Sequence, residues 1–326
     1  MKFVIAVLGA LIVSYLDKST EALAQGGSAR PIVLVVPFAA GGPTDLVGRL
    51  IAQEMSRKLG QQIVVENVGG AGGTTGTARV ARAAADGHTL LLSNIGHASS
   101  ATLYRRLPYQ PVDDFSPIGL VVDVPMTLVA RADMPVHDAA GLAEHMRANP
   151  GTTSIAHAGI GASSQLCSLV LMNALQQPII SVPYTGTAAA LNDVVGKRVD
   201  LLCDQTTNTT SQINAGAVRA LGLTTRQRLS TLPDVPTLAE AGLPGVEISV
   251  WHGLYAPKGT PVALIERLSD ALRTAVTSPL VTTRFSELGG VAASPEAATP
   301  SALKDKLVSE ISRWKPVIEA AGSIIE

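Results

Sequence analysis

Short apolar runs alternate with amphipathic stretches along nearly the whole of this chain, and that alternation leaves few architectures open to it. The run "IVLVV" (32–36) leads to a helical period over about residues 44–59. "QIVVEN" (62–67) leads to "GGAGGTTGTARVARAAA", and "HTLLLS" (88–93) to "ASSATLYRR". After the proline-rich "LPYQPVDDFSPIG" comes "LVVDVPMTLVARADMPV", long, apolar and rich in β-branched residues. A second series repeats the order. "TSIAH" (153–157) precedes a helix over about 162–175, "PIISVPY" (178–184) precedes "TAAALNDVVG", "VDLLCD" (199–204) precedes "QTTNTTSQI", and "VRALGLT" (218–224) closes the set. Strands separated by helical segments of roughly 10–15 residues imply parallel sheets with helical crossovers. The expected class is α/β in two lobes, because 326 residues exceed one ordinary small domain.

Composition narrows the function. Hydrophobic residues make up 46% of the chain and charged residues 16%, enough apolar material for sizeable cores and too much for a disordered protein. Lys and Arg total 25 against 26 Asp and Glu, a net charge of −1, and no basic run occurs. Nucleic-acid binders present a basic face, so no nucleic-acid partner is expected. The first residues read as an export signal. Met1-Lys2 is a positive start, "FVIAVLGALIVSYL" (3–16) an apolar run, and Ala22-Leu23-Ala24 a cleavage site before Gln25. The run is shorter than the ~20 residues a spanning helix needs. Residues 1–24 are therefore expected to be removed, leaving a soluble, periplasmic protein. Cys167 and Cys203 read as two small buried hydrophobes, with a disulfide the alternative in an oxidising compartment.

Two turns carry the functional signal. "PFAAGGPTD" (37–45) joins a strand to a helix, and "TSIAHAGIGASSQLCSLVLMNAL" repeats that layout in the second series. The first four N–H groups of a helix lack internal partners, and the helix dipole adds roughly half a positive charge there. An anion suits such a place. Gly41 and Gly42 let the backbone approach a ligand, Pro43 fits an early helical position, and Thr44 can cap. Asp45 can accept from local N–H groups, a ligand amine or water. Capping alone would explain either turn. Two of them in an exported two-lobe chain point to a ligand held beyond the carboxyl ends of the strands. No arginine occurs in either turn, so the grip relies on uncharged donors.

Enzyme motifs fare worse. Gly159-Ile160-Gly161-Ala162-Ser163-Ser164 is not the G-x-S-x-G elbow of serine hydrolases, and it departs from the dinucleotide fingerprint at Ser164. "GGAGGTTG" (69–76) lacks the lysine of a phosphate loop. His88, His97, His137, His145, His157 and His252 are scattered. No catalysis, cofactor or metal is expected; the surviving enzymatic reading is a hydrolase using Ser163 or Ser164 with His157.

Several stretches then resemble one family. "VPFAAGGPTD", "VVENVGGAGGTTGTARVARAAADGHTLLLSN", "YRRLPYQPVDDFSPIGLV", "VPYTGTAAALNDVVGKRVDLLCD", "LPDVPTLAEAGLPG" and "VWHGLYAPKGTP" are similar to the Bug-type substrate-binding proteins of tripartite tricarboxylate transporters. The resemblance covers about residues 30–322. It implies a type II periplasmic-binding-protein fold: two α/β lobes joined by two crossing strands, near Val129–Arg131 and Ser249–His252, with the ligand cleft between them. Lobe one would comprise residues 30–127 plus 251–326, and lobe two 128–250. The resemblance implies a ligand carboxylate held between the two turns. It transfers binding roles to Phe38, Ala39, Gly42, Thr44 and Asp45, to Ser93 and Asn94 with His97 nearby, to Gly159, Gly161, Ser163 and Ser164, and to Tyr184, Thr185, Gly186 and Asp204. Gln165, Cys203 and His252 depart from the residues common at those positions in the family. The implied partners are a small organic acid or amino acid and membrane transporter subunits, served by a monomer. The alternative output is signalling to a membrane sensor kinase.

Overall fold

The computed structural model describes residues 30–322, so the expected signal segment, residues 1–24, lies outside the described residues. Two sheets share one long strand. In the first, β1 (Ile32–Val36) lies between β2 (Ile63–Asn67) and β3 (Thr89–Asn94), all parallel. The beginning of β4 (Phe115–Arg131) joins this sheet through β9 (Ser249–Pro257), which runs antiparallel to both β3 and β4. The short β10 (Val291–Ala292) covers the far flank of β4 at Val122 and Asp123. In the second sheet β5 (Ser154–His157) lies parallel between β6 (Ile180–Pro183) and β7 (Leu201–Gln205). Here β4 continues from Met126 to Arg131 with β7 on one flank and β8 (Val218–Leu223) on the other.

The change of partners falls between Pro125 and Met126, several residues before the expected Val129–Arg131 crossing. Proline has no N–H to give a ladder, so it is confined to edges, bulges and joins. Pro125 stands at the join, opposite Ser249, and Pro117 borders a register shift before Gly119. The prolines of this stretch therefore sit inside a strand without leaving a donor missing from a regular ladder. The return connection enters at Ser249, directly after Ile248, whose N–H donates to the Thr224 carbonyl of the second half.

Crossover helices supply the cover. α1 (Pro43–Leu59) follows β1, α2 (Thr74–Ala81) follows β2, and α3 (Gly96–Leu103) follows β3. α4 (Ala139–Ala148) precedes β5, α5 (Ser163–Leu175) follows it, α6 (Thr187–Val195) follows β6, and α7 (Thr206–Asn214) follows β7. α8 (Val262–Val276), α9 (Pro279–Glu287) and the long α10 (Pro300–Ala320) close the chain. In α1, Val47, Ile51 and Met55 recur at helical spacing and are all buried. Each contributes about 1.5–3 kcal/mol by leaving water. α10 packs on α3 and β4. One apolar cluster runs through both halves, from Leu91 and Leu103 to Leu166 and Leu201.

The cysteines correct the sequence reading. Cys167 and Cys203 are not two independent thiols; they form a disulfide with Cα atoms 6.1 Å apart. The bridge ties α5 to β7, two elements that adjoin only after the parallel sheet forms. Sequence spacing gives no sign of that proximity.

Candidate functional site

Four helix beginnings meet at one cleft between the halves. α1 starts after Gly42, α5 after Ala162, α6 after Gly186 and α7 after Gln205. None has a side chain bonding its first N–H groups. Elsewhere Asp138, Ser278 and Thr299 cap α4, α9 and α10, while α2, α3 and α8 also begin without a side-chain cap; what sets the four apart is that they share one cleft. Uncapped ends leave donors and partial positive charge for something else to use.

The wall from the first half consists of Phe38, Ala39, Gly42, Pro43, Thr44 and Asn94. The facing wall consists of Ala158, Ala162, Ser163, Ser164, Gly186, Thr187, Asp204 and Gln205. Thus Phe38, Ala39, Gly42, Thr44, Asn94, Ser163, Ser164, Gly186 and Asp204 of the sequence set come together. Thr187 and Gln205 escaped the sequence reading, although each adjoins a helix start that the same rule marks. Ala158 and Ala162 carried no polar signal to find.

The remaining candidates are placed around the cleft rather than on its walls. Asp45 organises the first turn. Its carboxylate accepts from the Gly41 N–H at 3.0 Å, Arg49 Nε at 2.9 Å and Asn67 Nδ2 at 2.9 Å. Burial would raise this carboxyl, but the bonds from Arg49, Gly41 and Asn67 together hold it below the usual range. Asp45 is thus committed to the protein, not to a ligand amine. Ser93 lies buried in β3 opposite Gly253. Tyr184 donates its hydroxyl to Asp193 at 2.8 Å. Thr185 is exposed at the rim. His97 donates Nε2–H to the Pro111 carbonyl at 3.0 Å and packs among Tyr109, Phe115 and Tyr255, away from the cleft.

Gly159 and Gly161 serve the contact between the halves. The Gly161 carbonyl accepts from Ser99 Oγ at 3.2 Å. The Tyr104 hydroxyl lies 2.8 Å from the Ile160 carbonyl and 3.0 Å from that of Ala71, bridging the two sides. Gly72 has φ +62°, and a Cβ there would fall 1.8 Å from the Ile160 oxygen, so only glycine permits this approach. With the halves together the cleft encloses about 20 Å³, room for about one water. An organic acid therefore fits only with the walls further apart.

Three polar groups set the character of the cleft. Thr44 Oγ1 accepts from Asn94 Nδ2 at 3.1 Å and lies 3.3 Å from His252 Nε2. Burial lowers His252 to about 3, so it is a neutral ring behind the wall. Asp204 is completely buried, and burial lifts its carboxyl to about 6 against the pull of Thr187, Asn208 and the Gln205 N–H. One of its oxygens accepts from Asn208 Nδ2 at 2.7 Å; the other makes no hydrogen bond, the Thr187 hydroxyl and the Gln205 N–H lying near the carboxyl without bonding it in good geometry. The disulfide braces this region, since Cys203 precedes Asp204 and Cys167 lies one helical turn beyond Ser163 and Ser164.

The hydrolase arrangement does not form. His157 Nδ1 accepts from the Gly159 N–H at 3.1 Å, so Nε2 carries the proton, which it gives to Ser181 Oγ at 2.7 Å. Ser164 Oγ instead accepts from the Ala158 N–H at 3.0 Å. A larger cavity of about 840 Å³ lies elsewhere, along α5 and α10. The carboxyl ends of both helices border it, and no wall residue carries an unpaired buried polar atom among the described residues. Size favours that cavity, but its helix ends repel anions.

A family model described as the tripartite tricarboxylate transporter family receptor matches residues 47–323. The chain belongs to that family. Among solved structures, the periplasmic binding protein BugD is 46% identical with a TM-score of 0.89, covering 91% of this chain and 99% of its own. MatC from Rhodopseudomonas palustris, with bound malate, is 40% identical with a TM-score of 0.86, over 89% of this chain and 99% of its own. R. palustris Rpa4515, with adipate, is 32% identical with a TM-score of 0.86, over 91% and 98%. The fold is accordingly the two-lobe binding-protein fold of these relatives. No described helix is long and apolar enough to cross a membrane.

Proposed function

We propose that this protein is a periplasmic receptor that captures a small carboxylate-containing ligand between its lobes and presents it to a tripartite tricarboxylate-type membrane transporter. One observation carries the reading: four helix beginnings, none closed by a side chain, surround one cleft between the two halves. Hydrogen bonds to a charged group contribute about 1.5–3 kcal/mol each. Donors divided between two walls therefore favour the ligand fully only when the walls approach. We divide the lobes near Pro125 and Ser249, where β4 changes partners and the chain returns. Ligand binding then selects a closed state that a membrane partner can distinguish from the open one. The receptor acts as a monomer and without catalysis, in keeping with the His157 ring being spent on Gly159 and Ser181. The expected mature N-terminus is Gln25, which sequencing of the exported protein checks.

A thermal-shift screen over small organic acids and amino acids tests the receptor role. An acid at 100 times its Kd stabilises the protein by about 2.7 kcal/mol. Solution scattering of the same pair, with and without that acid, reports compaction. Uptake of the acid by cells lacking the receptor tests delivery. Absence of any stabilising acid would reject the reading.

A further inference from the structure

We propose that Asp204 makes this receptor selective for acids that carry a hydroxyl or ammonium donor beside their carboxylate; this rests on the receptor reading above. The two ends of the cleft are chemically opposite. Around Gly42, Ala162 and Gly186 the backbone offers donors without partners. At the β7 end the protein offers acceptors without partners. Asp204 Oδ1 is buried and unbonded, and so is the neighbouring Gln205 Oε1. An amide can turn to offer its nitrogen instead, but a carboxylate cannot, so Asp204 decides the chemistry.

Its geometry is fixed from behind. Asn208, one turn into α7, holds Oδ2 at 2.7 Å. No arginine or lysine among the described residues pairs with the group. A buried acceptor left unbonded is costly, and the cost disappears only when a donor arrives. A donor-free acid leaves Oδ1 unbonded, or sets against it a second carboxylate that can be met only if Asp204 first takes up a proton, and pH 7 lies about one unit above its pKa of about 6. A hydroxyl or ammonium group bonds it as it stands. A carboxylate ligand that satisfies both ends without that proton must therefore carry an N–H or O–H of its own. The family accommodates both kinds of acid, since malate has a hydroxyl and adipate has none. The unpaired oxygen assigns this chain to the first kind.

Titration calorimetry at neutral pH with succinate, malate and aspartate tests this. The three acids share a four-carbon skeleton and differ in having no donor, a hydroxyl or an ammonium group. In the parent protein the tighter of malate and aspartate should bind about tenfold better than succinate, the factor by which pH 7 disfavours the protonated Asp204 that succinate needs. Asp204→Leu should collapse that preference to within about twofold, the ratio between the acids being the reading rather than the affinity of any one of them. Asp204→Asn, nearly isosteric, should weaken aspartate most, because the charge opposite the ammonium is gone. Melting curves confirm that each variant is folded. A parent protein that binds succinate as tightly as the other two, or a preference that survives both substitutions, overturns the role of Asp204 and leaves the receptor reading standing. Binding confined to donor-free acids across the wider screen does the same. If no acid of either kind binds the parent protein, both readings fall.

Discussion

The disulfide makes a prediction whose size follows from the structure. Replace Cys167 and Cys203 by alanine, singly and together. The bridge joins positions 36 residues apart, and closing a loop of that length in the unfolded chain corresponds to about 4 kcal/mol in the chain-entropy model. Unfolding entropy of ~2.1 cal/mol/K per residue over roughly 300 residues converts this to a Tm loss of about 6 °C. Calorimetry or far-UV circular dichroism in non-reducing buffer reads it directly. The pattern among the variants is sharper than the magnitude. Two separately packed thiols would contribute independently, so the single losses would sum to the double. A bridge is lost whole when either partner goes, so each single variant should fall nearly as far as the double. Reductant should lower the parent protein's Tm towards that of the double variant and leave the double variant unmoved. Ligand affinity should weaken in the same variants, because α5 and β7 bear Ser163, Ser164 and Asp204. Additive single losses, or a double variant melting within about 2 °C of the parent, would refute the bridge.

Other substitutions and conditions give further tests. Gly72→Ala places a methyl against the Ile160 carbonyl, whereas Gly60→Ala, at a similar φ of +63°, meets nothing within 4 Å. Both incur about 1–2 kcal/mol for a side chain in the left-handed region, but only Gly72→Ala should diminish the compaction that ligand causes in solution scattering. Equal compaction in the two variants would argue against the Gly72–Ile160 contact. Tyr104→Phe removes the hydroxyl that reaches both Ala71 and Ile160, and about 1 kcal/mol of closed-state stability should go with it, read as a similar loss of ligand-driven compaction. Stability should fall with acid. Burial lowers His97 to about 4 and His252 to about 3, so the unfolded chain binds more protons below its own histidine pKa. From pH 7 to 4.5 each histidine costs roughly 2.5 kcal/mol, while Asp204, raised to about 6, returns about 2 kcal/mol as it takes up its proton. The net loss is therefore about 3 kcal/mol for these groups, and His252→Gln should flatten the profile. A stability that rises between pH 6.5 and 4.5 would contradict the assignment of two neutral buried rings.

The turns were legible because their chemistry is local. A strand's period of two gives way to a helix's period of 3.6 across Pro37–Asp45, and the glycines and Pro43 mark the change. The starts of α6 and α7 obey the same rule, but the turns before them hold fewer small residues, so Thr187 and Gln205 went unmarked as site residues. Asp45 shows where local reasoning stops. Its partner Arg49 is four residues on and belongs to the same helix, whereas Asn67 arrives from the next strand and takes the oxygen that a ligand would need. The Cys167–Cys203 bridge depends likewise on a crossover that brings distant segments side by side. β4 was obscured for another reason. Pro117 and Pro125 argue for a loop until the bulge and the change of partners that excuse them are visible.

β4 also settles how this molecule can be divided. Residues 115–125 fill the slot between β9 and β10 in one sheet, and residues 126–131 fill the slot between β7 and β8 in the other. A single cut at the join leaves each sheet its own length of β4 but parts residues 30–125 from β9 and β10, which the chain supplies only after the second sheet is complete. An exchange of halves between relatives must therefore splice twice, at Pro125 and at Ser249.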